Sequence, residues 1–294
     1  MVCFFALSYN EQVIKERAGR RDLCPKEKCM LKKSLFPLFL VCASLALTGC
    51  SNGGSSDSAA DKSDETQTEN TGDATAKSEG VMTYAEYEAA AVDDPVVIEA
   101  FVQGKQSWWE DKATIYAADP DGAYFIYNAN VPEDVYEKLK DGTKIKVDGY
   151  KTEWSGEVEI AEGATLEVID DGVTYIAPVV NVTDMLGNTD ELIKHQNQKV
   201  SFEGMVIEPA QEGSDAAYLY NYDGSGEEGD DLYFNASKDG ETYTFTVESY
   251  LTDKDSDVYK AVKNLKVGDT VNMEGFLYWY EGPNPHITSV TVVE

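Results

Sequence analysis

Beyond position 50 the 294-residue chain has no cysteine; all five lie at or before Cys50. A mature chain starting there has neither a disulfide nor a second thiolate, so burial alone must hold its domains. Histidine is also scarce, with His195 and His286 the only two and well separated. There is no Gly-x-Ser-x-Gly, no phosphate loop and no His-Glu-x-x-His, so nothing here reads as a catalytic centre. Basic residues are few, at 24 Lys and Arg against 54 Asp and Glu. Residues 1–49 hold 8 of the basic and 4 of the acidic residues, which leaves 16 and 50 and a net charge of −34 for the remainder. A field of that sign repels phosphate backbones, so nucleic acid is not an expected partner. Long apolar runs are missing too. The longest, Ser34–Leu47, is about 14 residues, short of the roughly 20 that span a bilayer.

That run sits in an ordered context. Met30-Leu31-Lys32-Lys33 gives a basic start, the apolar stretch follows, and small residues close it, in the order of a secretory signal peptide. Its end, Leu47-Thr48-Gly49-Cys50, resembles the bacterial lipobox. The resemblance implies cleavage before Cys50, a diacylglyceryl group on that thiol, and an extracytoplasmic protein anchored to the cell membrane through lipid. Residues 1–29 fit no part of this scheme and read as an over-extended start before a signal peptide at 30–49. Cys24 and Cys29 in that stretch lack the companion ligands of a metal site.

Residues 50–80 form an expected tether. Ser51–Gly80 contains no aromatic residue and no Val, Ile, Leu or Met, too little apolar surface to offset the entropy of ordering. As a coil of 30 residues it would span roughly 30 Å.

From Val81 aromatic and β-branched residues appear in short alternating runs, and one unit is written twice. Thr83 and Thr183 each begin a helix-like stretch, the first with Glu86 at capping-box spacing. Gly104 and Gly204 each stand inside an apolar strand, 100 residues apart. A second block, helix then strand, runs from Asp134 to Gly149 and again from Asp257 to Gly275, offset by 126 at its glycine. The second copy thus carries about 25 extra residues, expected in Tyr222–Thr242 with its acidic, glycine-rich turns. The order within a copy is three strands, with Thr114–Ala118 and Ala123–Tyr127 joined at Asp119-Pro120-Asp121-Gly122, a helix over Pro132–Lys140, then two strands. That order resembles the OB-fold, a five-stranded, partly open barrel. The fold class expected is mainly β: two tandem OB-like barrels (81–172 and 173–294), each with a short helix, after a disordered tether.

The resemblance places ligands on the face of strands 2 and 3, between the loops joining strands 1–2 and 4–5. Trp108 and Trp109 fall in the first such loop, and Trp154 and Tyr280 at the ends of the two fourth strands. By parity with Gly149 and Gly275, Trp154 and Tyr280 point outward, whereas Trp279 points into the core. Outward rings suit stacking on a glycan, a small molecule or a protein ligand. Asp253, Asp255 and Asp257 alternate as at the start of a calcium loop. The sixth and twelfth positions are Val258 and Asn264, not the required Gly and Glu, so capping of a helix near Val258 is the better reading. No cofactor is expected. The functional expectation is a cell-surface, lipid-anchored binding or scaffolding protein. An envelope hydrolase or its accessory domain, with an unrecognised carboxylate site, and a purely structural envelope protein are the alternative classes.

Overall fold

The computed structural model describes residues 73–293. Cys50, the lipobox-like residues Leu47, Thr48 and Gly49, and the segments 1–29 and 30–49 lie outside the described residues. Of the expected tether, only its last residues are described, and these are pinned. Lys77 Nζ donates to Glu99 O and Asp119 Oδ2, both at 2.6 Å, and Ser78 N–H donates to the Glu99 carboxylate.

The capping box forms as the sequence anticipates. Thr83 and Glu86 cap each other's backbone at the start of α1, Tyr84–Ala89. Then come β1 (Pro95–Lys105), β2 (Lys112–Asp119), β3 (Gly122–Asn130), α2 (Glu133–Tyr136), β4 (Lys144–Trp154), β5 (Glu157–Ile160) and β6 (Thr165–Val168). The β2–β3 turn is closed by Asp119, whose Oδ1 accepts the N–H groups of Asp121 and Gly122. Hydrogen bonding runs β1-β2-β3-β5-β4 and back to β1. The ring closes because β1 is long enough to pair with β4 over Pro95–Phe101 and with β2 over Phe101–Lys105, bending at the bulge beside Gly104. The β3–β5 contact is parallel and the other ring contacts are antiparallel.

The second half repeats this ring. After β7 (Val180–Asn181) and α3 (Thr189–Leu192) come β8 (Lys199–Glu208), β9 (Tyr218–Tyr220), β10 (Leu232–Lys238), β11 (Glu241–Val247), α4 (Asp257–Lys263), β12 (Thr270–Phe276) and β13 (His286–Val292). The ring is β8-β10-β11-β13-β12 and back to β8, with β11–β13 its parallel contact. The cyclic order of first, second, third, fifth and fourth strand is therefore the same in both halves. The fold is mainly β, with two OB-like barrels. Each barrel has its own apolar interior: Val96, Ile98, Ile115, Ile126, Ile145 and Val147 in the first, and Val200, Phe202, Phe234, Phe245, Val271 and Met273 in the second. Among the described residues no helix is long and apolar enough to cross a membrane.

Three sequence expectations hold only in part. Most of the extra residues of the second copy lie between β8 and β10, where 209–231, which includes β9, replaces the six-residue 106–111 of the first copy; the expected 222–242 falls in it as far as Asp231, and the rest of that stretch forms β10 and the start of β11. The helix-like stretch expected at Thr183 is a 3-10 turn, Thr183–Met185; the Thr183 hydroxyl accepts Glu203 N–H (2.8 Å), and Asn188 caps the α3 that follows. The 132–140 helix is only one regular turn, Glu133–Tyr136, beginning after Pro132.

Gly149 shows why a strand carries glycine at this position. A Cβ there would stand 2.7 Å from Ile160 Cγ2 and 2.8 Å from Ala164 Cβ, inside the first barrel. Gly149→Ala is expected to cost about 1–3 kcal/mol through overpacking, read as a lower denaturation midpoint.

Candidate functional site

Two features are candidates, a seam between the barrels and a groove on the second. The seam is built on the outer face of β2 and β3. Alternation sends Ile115, Ala117, Tyr124 and Ile126 into the first barrel and leaves Tyr116 and Phe125 facing out. In the OB resemblance this face belongs to ligands. Here Phe276 and Tyr278 of the second barrel cover it. Tyr116 stacks on Phe276 with ring centres 4.1 Å apart and planes 5° from parallel. Phe125 meets Tyr278 edge-on, and Tyr278 stacks on His286. Gly104 allows the close approach, since a Cβ there would lie 2.9 Å from the Phe276 ring.

Polar groups cross the same seam. Tyr116 hydroxyl and His286 Nδ1 are hydrogen-bonded at 3.0 Å. Burial holds the His286 imidazole neutral, its pKa pushed down to about 3. Gln106 Nε2 donates to the Glu248 carboxylate (2.9 Å), and Ser107 N–H to Tyr250 O. Burial, helped by the Asp231 charge, pushes the Glu248 carboxyl up to about 8 against the pull of the Tyr250 and Leu251 N–H groups and of Gln106. At the far end of the seam the tip of the β4–β5 hairpin rests against the second barrel. Ser155 O accepts Glu281 N–H, Gly156 O accepts Gln196 Nε2, and the Glu157 carboxylate accepts Trp279 N–H.

The groove lies on the outer face of β10 and β11 and has a volume of about 430 Å³. Tyr233, Asn235 and Thr244 form its floor. Ala210, Leu219 and Tyr222 from the long 209–231 loop make one wall, and Tyr280, Pro283 and Asn284 from the loop between β12 and β13 make the other. The sequence sets this floor by simple alternation: Leu232, Phe234 and Ala236 face the core, so Tyr233 and Asn235 face out. The floor is braced from below. Asn235 Nδ2 donates to Pro209 O and Ala210 O, its Oδ1 accepts the Thr244 hydroxyl, and Asn284 Oδ1 accepts the Thr246 hydroxyl. Tyr222 and Tyr233 meet edge-on. Rings and amides line the groove, and none of its lining side chains is charged.

Of the aromatic candidates from sequence, Tyr280 lines this groove. Trp109 is exposed (66 %) on the 106–111 loop, and Trp108 is tied down by its Nε1–H to Val131 O, 2.8 Å. Trp154 is a correction. It shares the strand face of exposed Tyr150 (59 %) as parity requires, yet is only 8 % exposed. Parity fixes a face of the strand, not what covers it, and Trp154 sits next to the hairpin tip docked at the seam. Trp279 is in the second core, its parity position. Asp253, Asp255 and Asp257 do not converge. Asp253 Oδ1 accepts Asp255 N–H, and the cap of α4 is Ser256, whose hydroxyl accepts Tyr259 N–H. Among the described residues no three His, Cys, Asp or Glu side chains are grouped to hold a metal. Sequence reasoning missed Tyr222, Tyr233, Asn235, Thr244 and Asn284. The alternation of Leu232–Ala236 was the available signal for the β10 residues, obscured by the acidic turns before it.

No family model and no curated protein matches this chain. Solved structures of similar fold include the p204 HINb domain, 12 % identical with a TM-score of 0.32, covering 69 % of this chain and 98 % of that one. Another is the Ifi202 HINa domain in complex with 20bp dsDNA (11 % identical, TM-score 0.30, 69 % and 96 % covered). A third is a replication protein A heterotrimer bound to ssDNA (11 %, 0.30), covering 73 % of this chain and 50 % of that one. These findings overturn one expectation. The expectation that nucleic acid is not a partner is withdrawn: two of these structures are described with double- and single-stranded DNA. The physical reason is that net charge belongs to the whole chain, whereas the lining of the groove carries no acidic side chain.

Proposed function

We propose that this chain is a lipid-anchored, extracytoplasmic binding protein that presents the groove of its second barrel to a glycan. The groove carries this reading. Tyr222, Tyr233 and Tyr280 offer ring faces to the apolar face of a sugar, and the neighbouring amides and hydroxyls of Asn235, Thr244 and Asn284 match its hydroxyls. Such a lining supplies recognition without a nucleophile or a general base, so binding rather than turnover is the proposed activity. With the first barrel's equivalent face taken up by the seam, the first barrel serves as a platform for the second. The anchor rests on Cys50 and the lipobox before it. The Ser51–Gly80 composition supports a spacer between bilayer and barrels.

The two halves of the proposal are tested separately. Labelled palmitate is expected to enter the chain in a lipoprotein-processing host and to be absent from Cys50→Ala; equal labelling of that variant would reject the anchor. Titration of an array of neutral oligosaccharides is expected to find a binder whose affinity falls at least tenfold, about 1.4 kcal/mol, in Tyr233→Ala and in Tyr280→Ala with the melting temperature held. Peptide and DNA arms belong on the same array. A binder found only there would reject the glycan assignment.

A further inference from the structure

The loop between β12 and β13, residues 277–285, does two things. Its Tyr280, Pro283 and Asn284 wall the groove. The same loop is gripped by the first barrel: Trp279 N–H donates to Glu157 Oε2 (2.9 Å), Glu281 N–H donates to Ser155 O (2.7 Å), and the Trp279 ring lies where a Cβ on Gly156 would stand, 2.8 Å from Cδ1. The side chain that holds the Trp279 amide in this grip is Glu157.

Glu157 is fully buried. Its Oε2 also receives Gln196 Nε2 at 3.2 Å. Its Oε1 is buried without a hydrogen-bond partner. Asn197 lies beside it, and the Asn197 Oδ1 is likewise buried without a donor, its amide oriented by Nδ2 donating to Val158 O (3.2 Å). Two buried acceptors thus lack a protein donor in one seam, a costly arrangement if Glu157 is ionised.

We propose that Glu157 is a positioning residue for the groove, acting from the other barrel as a neutral carboxylic acid: Oε2 holds the Trp279 amide, and a proton on Oε1 supplies the donor the seam lacks. Its surroundings favour that form. Burial pushes the carboxyl well above the usual carboxylate range and the neighbouring Glu159 charge adds to this. The amides of Asn197 and Gln196 and the Trp279 N–H act the other way. The titratable groups around it are Glu159 on its own strand and the Tyr87 phenol of α1, on which both carboxylates act. From the second barrel come amide groups, with His195 nearby engaged by Gln198 Oε1 (2.8 Å). Ionisation at alkaline pH places a second negative charge beside Glu159 and loosens residues 279–281. The consequence for ligand rests on the groove reading above; the grip itself does not.

The test is hydrogen exchange of segment 277–285 in the full chain carrying Glu248→Gln, which removes another seam carboxyl that titrates in this range. With intrinsic rates corrected, protection is expected to fall at least tenfold between pH 6 and pH 9.5. Adding Glu157→Gln, neutral at every pH, is expected to keep the pH 6 protection throughout. Adding Glu157→Ala is expected to lose it throughout. A Gln variant that falls with pH as its parent does, or an Ala variant with undiminished protection, overturns the proposal. In the unsubstituted chain carrying 13C-labelled glutamate, the Glu157 carboxyl carbon is expected at its neutral-acid position at pH 7, and an ionised position there also overturns it. The oligosaccharide array is read apart from these. Silence of the parent at pH 6 rejects the groove reading, while exchange and carboxyl data still decide the grip.

Discussion

Phe276→Ala is expected to split a single cooperative unfolding transition into two. The ring is buried, stacked on Tyr116 and set against Gly104, so its removal opens a cavity shared by both barrels. Truncating a buried phenylalanine costs about 3–5 kcal/mol. Here most of that loss falls on coupling, because each barrel keeps its own apolar interior. Calorimetry of the chain is expected to show one transition, and that of Phe276→Ala two, with the second barrel melting first. Tyr116→Ala approaches the same stack from the first barrel and is expected to give the same splitting with the first barrel weakened. A single transition shifted downward in both variants would mean that the barrels are coupled elsewhere.

Glu248→Gln is expected to change how stability depends on pH. The Glu248 carboxyl is raised from 4.5 to about 8 in the folded chain. A raised acid contributes stability fully below the unfolded value and loses it as pH rises through the folded one, at about 1.4 kcal/mol per pH unit. His286 has the opposite sign. Lowered from 6.5 to about 3, it contributes fully above 6.5 and loses that contribution as pH falls toward 3. Between 4.5 and 6.5 the two slopes oppose each other; from 6.5 to 8 the Glu248 carboxyl acts in the same direction as the raised Glu157 carboxyl, whose contribution cancels when the variant is compared with its parent. The gain in stability of Glu248→Gln over the parent is therefore expected to grow by roughly 4 kcal/mol between pH 5 and pH 8, as read from urea midpoints. A difference that is constant across that range would place the carboxyl in contact with water.

Much of the fold was legible because repetition doubles every local signal. The Thr83–Glu86 box, the Asp119–Gly122 turn and the paired glycines Gly149 and Gly275 are short-range features, and the matched blocks gave the strand order of both barrels. The expected end of the insertion falls too late for a plain cause: Asp223–Asp231 is a turn-rich part of it, and the same reading absorbs the strand beginning at Leu232. The site was far less legible. Alternation along β2 and β3 places Tyr116 and Phe125 on the outer face, but only the fold shows that Phe276 and Tyr278 cover them. The same gap explains Trp154: parity gives the face of the strand, and only the fold shows that the side chain is buried there. Glu157, in a chain with 54 acidic residues, carries no mark in the sequence. Its role comes from a seam that joins residues 122 positions apart.

The most direct test is a crystal structure of the full chain with the tightest binder from the oligosaccharide array. The expected result is a sugar ring stacked on Tyr233, flanked by Tyr222 and Tyr280, with its hydroxyls on Asn235, Thr244 or Asn284. A ligand seated instead on the exposed Trp109 loop, or a groove left empty by a ligand that binds in solution, would contradict the account.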